Sequence, residues 1–407
     1  MTTPILIVGA GPAGASLAYA LAARGVAVTL VERQRDFARE FRGEALMPSG
    51  VDALAQLGLG DVIPSVPHRV PDAIELFRGR KLVARVRASE VLPPGVHAYT
   101  VSQPHLLEAI VARASQHAGF TLLRGAAVRE LLRNAAGRVC GVRVDGEGGA
   151  RELAARFVVG ADGRASVVRR GGGFAVTQIW APMDVVWARL PWPACYVDAQ
   201  PVRGYVGHGH LLIALPSPSG GLQVAWVIRK GTYGDLRSRG IEDWVRAMAD
   251  HVSPDLAEHF RASAAAVSRP FLLDAETDRV RGWAKPGALL IGDAAHTMSP
   301  VGAQGINVAL RDAVAALNAL APALRANASD AELDAAAACV EPERGPEIDE
   351  IQGLARRPPV VVMGTYPGAE WVRALLLGLA TSPLGRRAVA RVGAKFLCGT
   401  REVKLVA

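Results

Sequence analysis

The strongest constraint on this chain lies in its first fourteen residues, where the apolar run Ile5-Leu-Ile-Val8 breaks into Gly9-Ala-Gly-Pro-Ala-Gly14. Four consecutive apolar residues read as a short buried strand, and the apolar stretch after Gly14 reads as a helix to about Arg24. Gly25 ends that helix as a C-terminal glycine would, and residues 26–31 read as a second buried strand. Each glycine of the turn answers a different steric need. Gly9 permits the tight turn, Gly11 lets backbone approach a pyrophosphate, and Gly14 allows close contact between helix and strand. The helix start, with Pro12 and Ala13 in its first turn, offers free N–H groups and a positive dipole end to phosphates. Glu32 closes the second strand, where a carboxylate can accept both hydroxyls of an adenosine ribose, and Arg33 follows it. The unit predicts a Rossmann-type dinucleotide fold and leaves the kind of dinucleotide open.

Two later segments narrow it. One is Val158-Val-Gly-Ala-Asp-Gly-Arg-Ala-Ser166; the other is Leu290-Ile-Gly-Asp-Ala-Ala-His-Thr-Met-Ser-Pro-Val-Gly-Ala-Gln-Gly-Ile-Asn307. With these, residues 1 to about 320 resemble the single-component FAD-dependent aromatic hydroxylases, the para-hydroxybenzoate hydroxylase-like flavoprotein monooxygenases. The resemblance implies an α/β fold: a Rossmann-type FAD-binding domain with an inserted β-rich substrate domain and C-terminal helices. By it, Gly292 and Asp293 hold the ribityl chain of FAD, while Asp162 and Gly163 lie near the pyrophosphate and take part in NAD(P)H use. Arg42 approaches the FAD phosphates and Gln103 contacts the cofactor from a helix start. Pro300, Val301, Gly302, Ala303, Gln304, Gly305, Ile306 and Asn307 form the loop along the flavin ring. Many relatives carry glycine where this chain has Ala303, a small change. His296 recurs in the motif with a packing or cofactor-contact role. The implied reaction consumes NAD(P)H and O2 and hydroxylates an aromatic or polyketide-like small molecule through a flavin C4a-hydroperoxide. Cofactor chemistry of that kind asks for no triad or metal cluster from the protein.

The rest of the pattern divides the chain. Residues 1–72, 98–173 and 275–330 are read as one discontinuous FAD-binding domain, 73–97 and 174–274 as the β-rich substrate domain, and 331–407 as a helical region. The segments 73–77 and 82–87 read as hairpin-like strands. A helix is expected from Ser102, its N-cap, to about His117. One helix, 241–251, is expected in the β-rich part, and the tail is expected to break at Pro342, Pro346, Pro358, Pro359, Pro367 and Pro383. A late helix from about Trp371 to Arg387 is read as packing across the two domains, its basic end in solvent.

Composition excludes several partners. The net charge of +8 comes from scattered arginines with no nucleic-acid module, so no nucleic acid is expected. No apolar stretch is long enough to span a bilayer, and no leader is expected before Ile5. Four cysteines without metal-ligand spacing suggest reduced thiols, no metal site and a cytoplasmic protein.

The substrate end is less legible. A phenolic substrate calls for a hydrogen-bond acceptor, and Arg203, Tyr205, His208 and His210 cluster around a glycine turn, with His97 and Tyr99 upstream. The plainer reading makes 207–209 a hairpin turn with solvent-facing histidines. Trp180, Trp187, Trp192 and Trp226 line a pocket or fill core. Beside the hydroxylase stand two alternatives: another flavin redox enzyme on this fold, an isoprenoid-type reductase or a halogenase, and a flavin-binding protein without turnover.

Overall fold

Thr3–Val8 lies in the middle of a parallel sheet because both of its faces are covered, with Ile5, Leu6 and Ile7 fully buried. In spatial order the sheet runs Ala284–Lys285, Ala288–Leu290, Gly149–Gly160, Thr3–Val8, Val28–Glu32 and Phe120–Arg124. All neighbours are parallel except the first pair. The computed structural model describes residues 3–38, 44–179, 182–196, 200–207, 209–364 and 366–406. The helix Pro12–Ala22 makes the first crossover and ends where the glycine demands it: Gly25 has φ +79° and donates to the Ala22 carbonyl at 2.9 Å. Helices Pro48–Gln56, Gln103–Ala114 and Gly305–Arg325 complete the layers around one large core. An antiparallel ribbon, Ala127–Arg133 and Val139–Gly146, pairs with the outer half of Gly149–Gly160.

A second sheet of seven strands runs Phe271–Asp274, Met183–Leu190, Leu222–Arg229, His210–Pro216, Val202–Gly207, Ala73–Arg78 and Lys81–Arg87. Both faces of its central strands are buried, so alternation there sorts residues between two apolar environments. Val186, Ala188, Tyr205, Leu212, Val224 and Trp226 point to an outer face covered by helices Ile241–Ala249 and Pro254–Ala262. Met183, Val185, Trp187, Leu211, Ala225 and Val227 point to the inner face.

Several expectations need correction. Among the described residues of 174–274 there are three α-helices rather than one, Tyr233–Ser238 and Pro254–Ala262 joining Ile241–Ala249. Ser102 occupies the N-cap of Gln103–Ala114 but makes no capping bond; its hydroxyl meets His105 Nδ1 at 2.7 Å instead. The tail does not break at Pro342, Pro346 or Pro358–Pro359, since one helix spans Val340–Met363. Pro342 lies in its first turn, where an N–H would be unpaired anyway. Beyond it, burial of Arg344, Glu347, Ile348 and Ile351 outweighs the bond lost at Pro346. Arg387 belongs to a separate last helix, Pro383–Cys398, which meets Pro48–Gln56, while Ala369–Thr381 meets Lys81–Arg87 of the second sheet and leaves Trp371 71% exposed. Among the described residues no helix is long and apolar enough to cross a membrane.

Candidate functional site

The three glycines of the first turn are separated by what a side chain would meet. A Cβ on Gly9, at φ +98°, would lie 2.5 Å from the Ala161 carbonyl oxygen, and one on Gly14 only 2.0 Å from the Gly9 carbonyl oxygen. A Cβ on Gly11 would meet nothing within 4 Å. The turn is therefore packed on its protein side and open at its tip. There the helix Pro12–Ala22 begins with no side-chain cap and no acidic residue in its first turn. Its unpaired N–H groups and dipole face the open tip, an environment suited to a pyrophosphate. Glu32, 3% exposed, accepts the Ala10 N–H and the Gln34 N–H, both at 2.9 Å, which fixes its carboxylate beside the turn. Arg33 is exposed, Gln103 is partly buried at its helix start, and Arg42 lies outside the described residues.

Across the sheet, Gly292 sits at φ +60°, with Ala13 and Ala309 each 3.4 Å from where its Cβ would be. This wedges the Gly292–Asp293 turn against the first glycine helix. Asp293 keeps a third of its side chain exposed, with Arg164 Nε at 3.4 Å. The arginine, which the sequence reading passed over, donates its other end to the Asp274 carbonyl at 3.0 Å. Asp162 is occupied differently. Its carboxylate accepts the Ser166 hydroxyl and the Val167 and Val168 amides, holding the start of Val167–Gly171; burial raises its pKa while those bonds oppose the rise. Gly163, at φ +76°, has open space around it.

The loop from Pro300 is clamped from both sides. Asn307 accepts the Met47 N–H at 2.8 Å and donates to the carbonyls of Ala45 (3.2 Å) and Ala303 (2.9 Å). Gln304 donates to the carbonyls of Gly302 (2.8 Å) and Phe396 (2.7 Å). Val301 packs against the cluster built on Met183, Val185, Ala225 and Val227 of the second sheet's inner face, on which Trp187, Leu211 and Ile213 also pack. Gly305 and Ile306 open a helix with no acidic residue in its first turn, so its positive end faces the loop. Ala303 has φ +52°, a left-handed conformation that costs an alanine about 1–2 kcal/mol. Ala303→Gly is therefore expected to keep the loop and raise the thermal midpoint by a degree or two, read by calorimetry; a lower midpoint would mean that the methyl packs productively.

His296 belongs to a buried charge cluster rather than to the loop's chemistry. Its Nε2 lies 2.6 Å from Asp312, which also accepts the Gly292 N–H at 3.0 Å and Arg344 Nε at 2.9 Å. Arg344 and Arg311 both pair with Glu347. Burial alone would raise the Asp312 pKa, but His296 and Arg344 outweigh it and hold the carboxyl below its usual range. The cluster thus fixes the turn that presents Asp293.

The substrate-side residues named from sequence divide by strand parity. Tyr205 is fully buried on the outer face, stacked on Phe77 with its hydroxyl 2.9 Å from Ser253 Oγ, and burial pushes its pKa up to about 12. Arg203 joins Glu75 and Asp255 on that side, and His210 is not solvent-facing but rests on His251 and Trp226. All three point away from the Val301 loop, so none of them can meet a substrate there. His208 and Trp180 lie outside the described residues. Tyr99 pairs with Leu46 in a small sheet and meets the rings of His68 and His97, and Trp192 meets Tyr196 edge-on. Of the tryptophans named, Trp187 packs on the inner-face cluster of the second sheet.

Glu44 was missed. It precedes Ala45–Leu46, is 6% exposed, and faces Arg189 of the second sheet at 3.4 Å. Burial raises its pKa to about 7 against the opposing pull of Arg189. A charged residue inside an otherwise buried segment was the available signal.

Comparison with known proteins adds the following. The family described as FAD binding domain matches residues 2–343. A 6-methylpretetramide 4-monooxygenase of Streptomyces rimosus is 37% identical over 352 residues, 84% of this chain and 81% of that protein. The structure of Pseudomonas aeruginosa PqsL in complex with 2-aminobenzoylacetate superposes with TM-score 0.76 at 25% identity, covering 89% of this chain and 97% of that one. The p-nitrophenol 4-monooxygenase PnpA of Pseudomonas putida DLL-E4 superposes with TM-score 0.81 over 98% and 99% of the two chains; at 19% identity that likeness concerns the fold.

Proposed function

The chain belongs to the FAD-binding-domain family of flavoprotein monooxygenases, and on that premise we propose that it uses NAD(P)H and O2 to hydroxylate an aromatic or polyketide-like small molecule. It is an FAD-dependent oxidoreductase. The observation that carries the substrate assignment is that Val301 packs on the apolar cluster built from Met183, Val185, Ala225 and Val227, which brings the second sheet's inner face up to the loop. The relative named for 6-methylpretetramide supports the same substrate class.

The fit to FAD rests on the shape of the turn: space at Gly11, none at Gly9 or Gly14. Gly9, Gly11, Pro12, Ala13 and Gly14 would take the pyrophosphate at the helix start, Glu32 the adenosine ribose, and Asp293, steadied by Arg164, the ribityl hydroxyls. The 300–307 loop would support the ring, where the helix dipole from Gly305 favours negative charge. FAD, when bound, supplies the oxygen-activating redox chemistry. The protein's part is to hold the ring and substrate together and to exclude water with the inner-face side chains. We assign the enzyme to the cytoplasm, with its four cysteines as thiols.

A substrate screen under ¹⁸O2, following NAD(P)H consumption and product mass together, tests the reading. A substrate should accelerate NAD(P)H oxidation and gain one labelled oxygen. Product formed equally well without oxygen would instead identify a reductase.

A further inference from the structure

The inner face of the second sheet changes character at one end. Met183, Val185 and Trp187 follow one another on that face of Met183–Leu190, and the next residue in the row is Arg189, about 6–7 Å beyond Trp187. Directly across the strand pair, in register with Arg189, stands Gln223. Glu44 approaches Arg189 from the opposite side at 3.4 Å. It comes from the segment whose next residue, Ala45, is held by Asn307 at the end of the ring loop. An apolar surface that touches the loop at Val301 thus ends in a polar corner reaching back toward the loop's other clamp.

That corner is buried and incompletely paired. Gln223 is 2% and Glu44 6% exposed. Among the described residues Gln223 Oε1 and Glu44 Oε2 have no hydrogen-bond partner. Two buried acceptors without donors are costly to a fold that leaves them so. A ligand that donates satisfies both oxygens, that of Glu44 in its ionised form. The geometry points to a substrate-anchoring site in which Glu44 and Gln223 accept hydrogen bonds from hydroxyl groups on the edge of a flat aromatic substrate, beside Arg189, while Trp187, Leu211 and Ile213 cover its ring face. The site selects a phenol or enol edge over an ether or a bare ring. A site built to bond a hydroxyl rejects the analogue lacking it far more strongly than an apolar wall does. The raised pKa of Glu44 suits this setting, since its carboxyl can share a proton with a hydroxyl near neutrality.

The inference rests on the monooxygenase reading for the location of the substrate, but its test does not depend on turnover. The probes are 2,6-dihydroxyanthraquinone and its dimethyl ether, titrated calorimetrically into the FAD-loaded protein. Wild type is expected to bind the diphenol at least tenfold more tightly than the diether. Gln223→Leu, which removes an acceptor at similar volume, and Glu44→Gln, which removes the anionic one, are each expected to shrink that ratio several-fold and leave diether affinity within twofold. Flavin content and thermal midpoint confirm that each variant is folded. A wild-type ratio near one, or a ratio that survives both substitutions, overturns the anchor. Loss of flavin in place of loss of phenol preference assigns the corner to the cofactor and overturns it too. Neither result touches the ¹⁸O2 experiment, whose failure would count against the monooxygenase reading itself.

Discussion

Gly14→Val is expected to purify without flavin and to be less stable than wild type by more than about 3 kcal/mol. The reason is local and has no escape. A Cβ at this position would lie 2.0 Å from the Gly9 carbonyl oxygen and 3.0 Å from Ala161 Cβ. Gly9 cannot yield, because its own φ of +98° puts it against Ala161 and its N–H is bonded to Val31 at 2.8 Å. Relief requires moving the helix Pro12–Ala22 off the sheet, and nine of its eleven residues are buried. Gly11→Ala separates shape from stability. Its methyl enters open space, so the thermal midpoint of the flavin-free protein should stay within a degree or two while FAD affinity falls. Asp293→Ala should likewise fold and lose colour. Visible flavin absorbance per protein, read with the unfolding midpoint, distinguishes the three. A yellow Gly14→Val protein of normal stability would remove the turn from the cofactor site.

That turn was legible because its chemistry is contiguous: strand, three glycines and helix follow one another, and each constraint acts within a few residues. The Gly292–Asp293 turn and the 300–307 loop were legible as motifs for the same reason. The second sheet was not. Both faces of its central strands are buried, so hydrophobic alternation there marks two sides without saying which one meets the loop. Arg203, Tyr205 and His210 drew attention because polar residues gathered near a glycine hairpin, yet parity turns them under the outer helices. Fixing parity takes one tertiary contact, that of Val301 with the inner-face cluster, and no local pattern supplies it. Gln223 was hidden likewise, since its neighbour in register, Arg189, lies on another strand. Arg311 and Asp312 did leave a signal: two charges in the middle of the apolar run from Val308 to Leu317 cannot both face solvent on a helix buried all round.

Those charges lead to the second large effect. Arg344 is fully buried, donating to Asp312 at 2.9 Å and pairing with Glu347 one turn along its own helix. Arg344→Met keeps much of the volume and removes the cation between two buried carboxylates. Breaking a buried pair in this way typically costs 3–5 kcal/mol, because the remaining charge stays desolvated. The dependence on pH follows from the carboxylates. For both Asp312 and Glu347 burial raises the pKa, but the pull of His296 and Arg344 on the first, and of Arg344 and Arg311 on the second, prevails and leaves both lowered. Groups whose folded pKa is depressed contribute stability that is present above their unfolded pKa, near 4, and lost as pH falls through the folded value. The gap between wild type and Arg344→Met should thus be widest at neutral pH and narrow on acidification, as protonation relieves the buried carboxylates first in the variant and then in wild type. Asp312 also accepts the Gly292 N–H, so the variant should hold FAD less firmly as well as unfold earlier. Arg344→Lys keeps the charge but not the fork that reaches both carboxylates, and should recover only part of the loss. Denaturant unfolding at several pH values reads all of this. A gap that stays constant from neutral to acid pH would mean that Arg344 acts through packing alone, and full flavin retention in a destabilised variant would uncouple the cluster from the Asp293 turn.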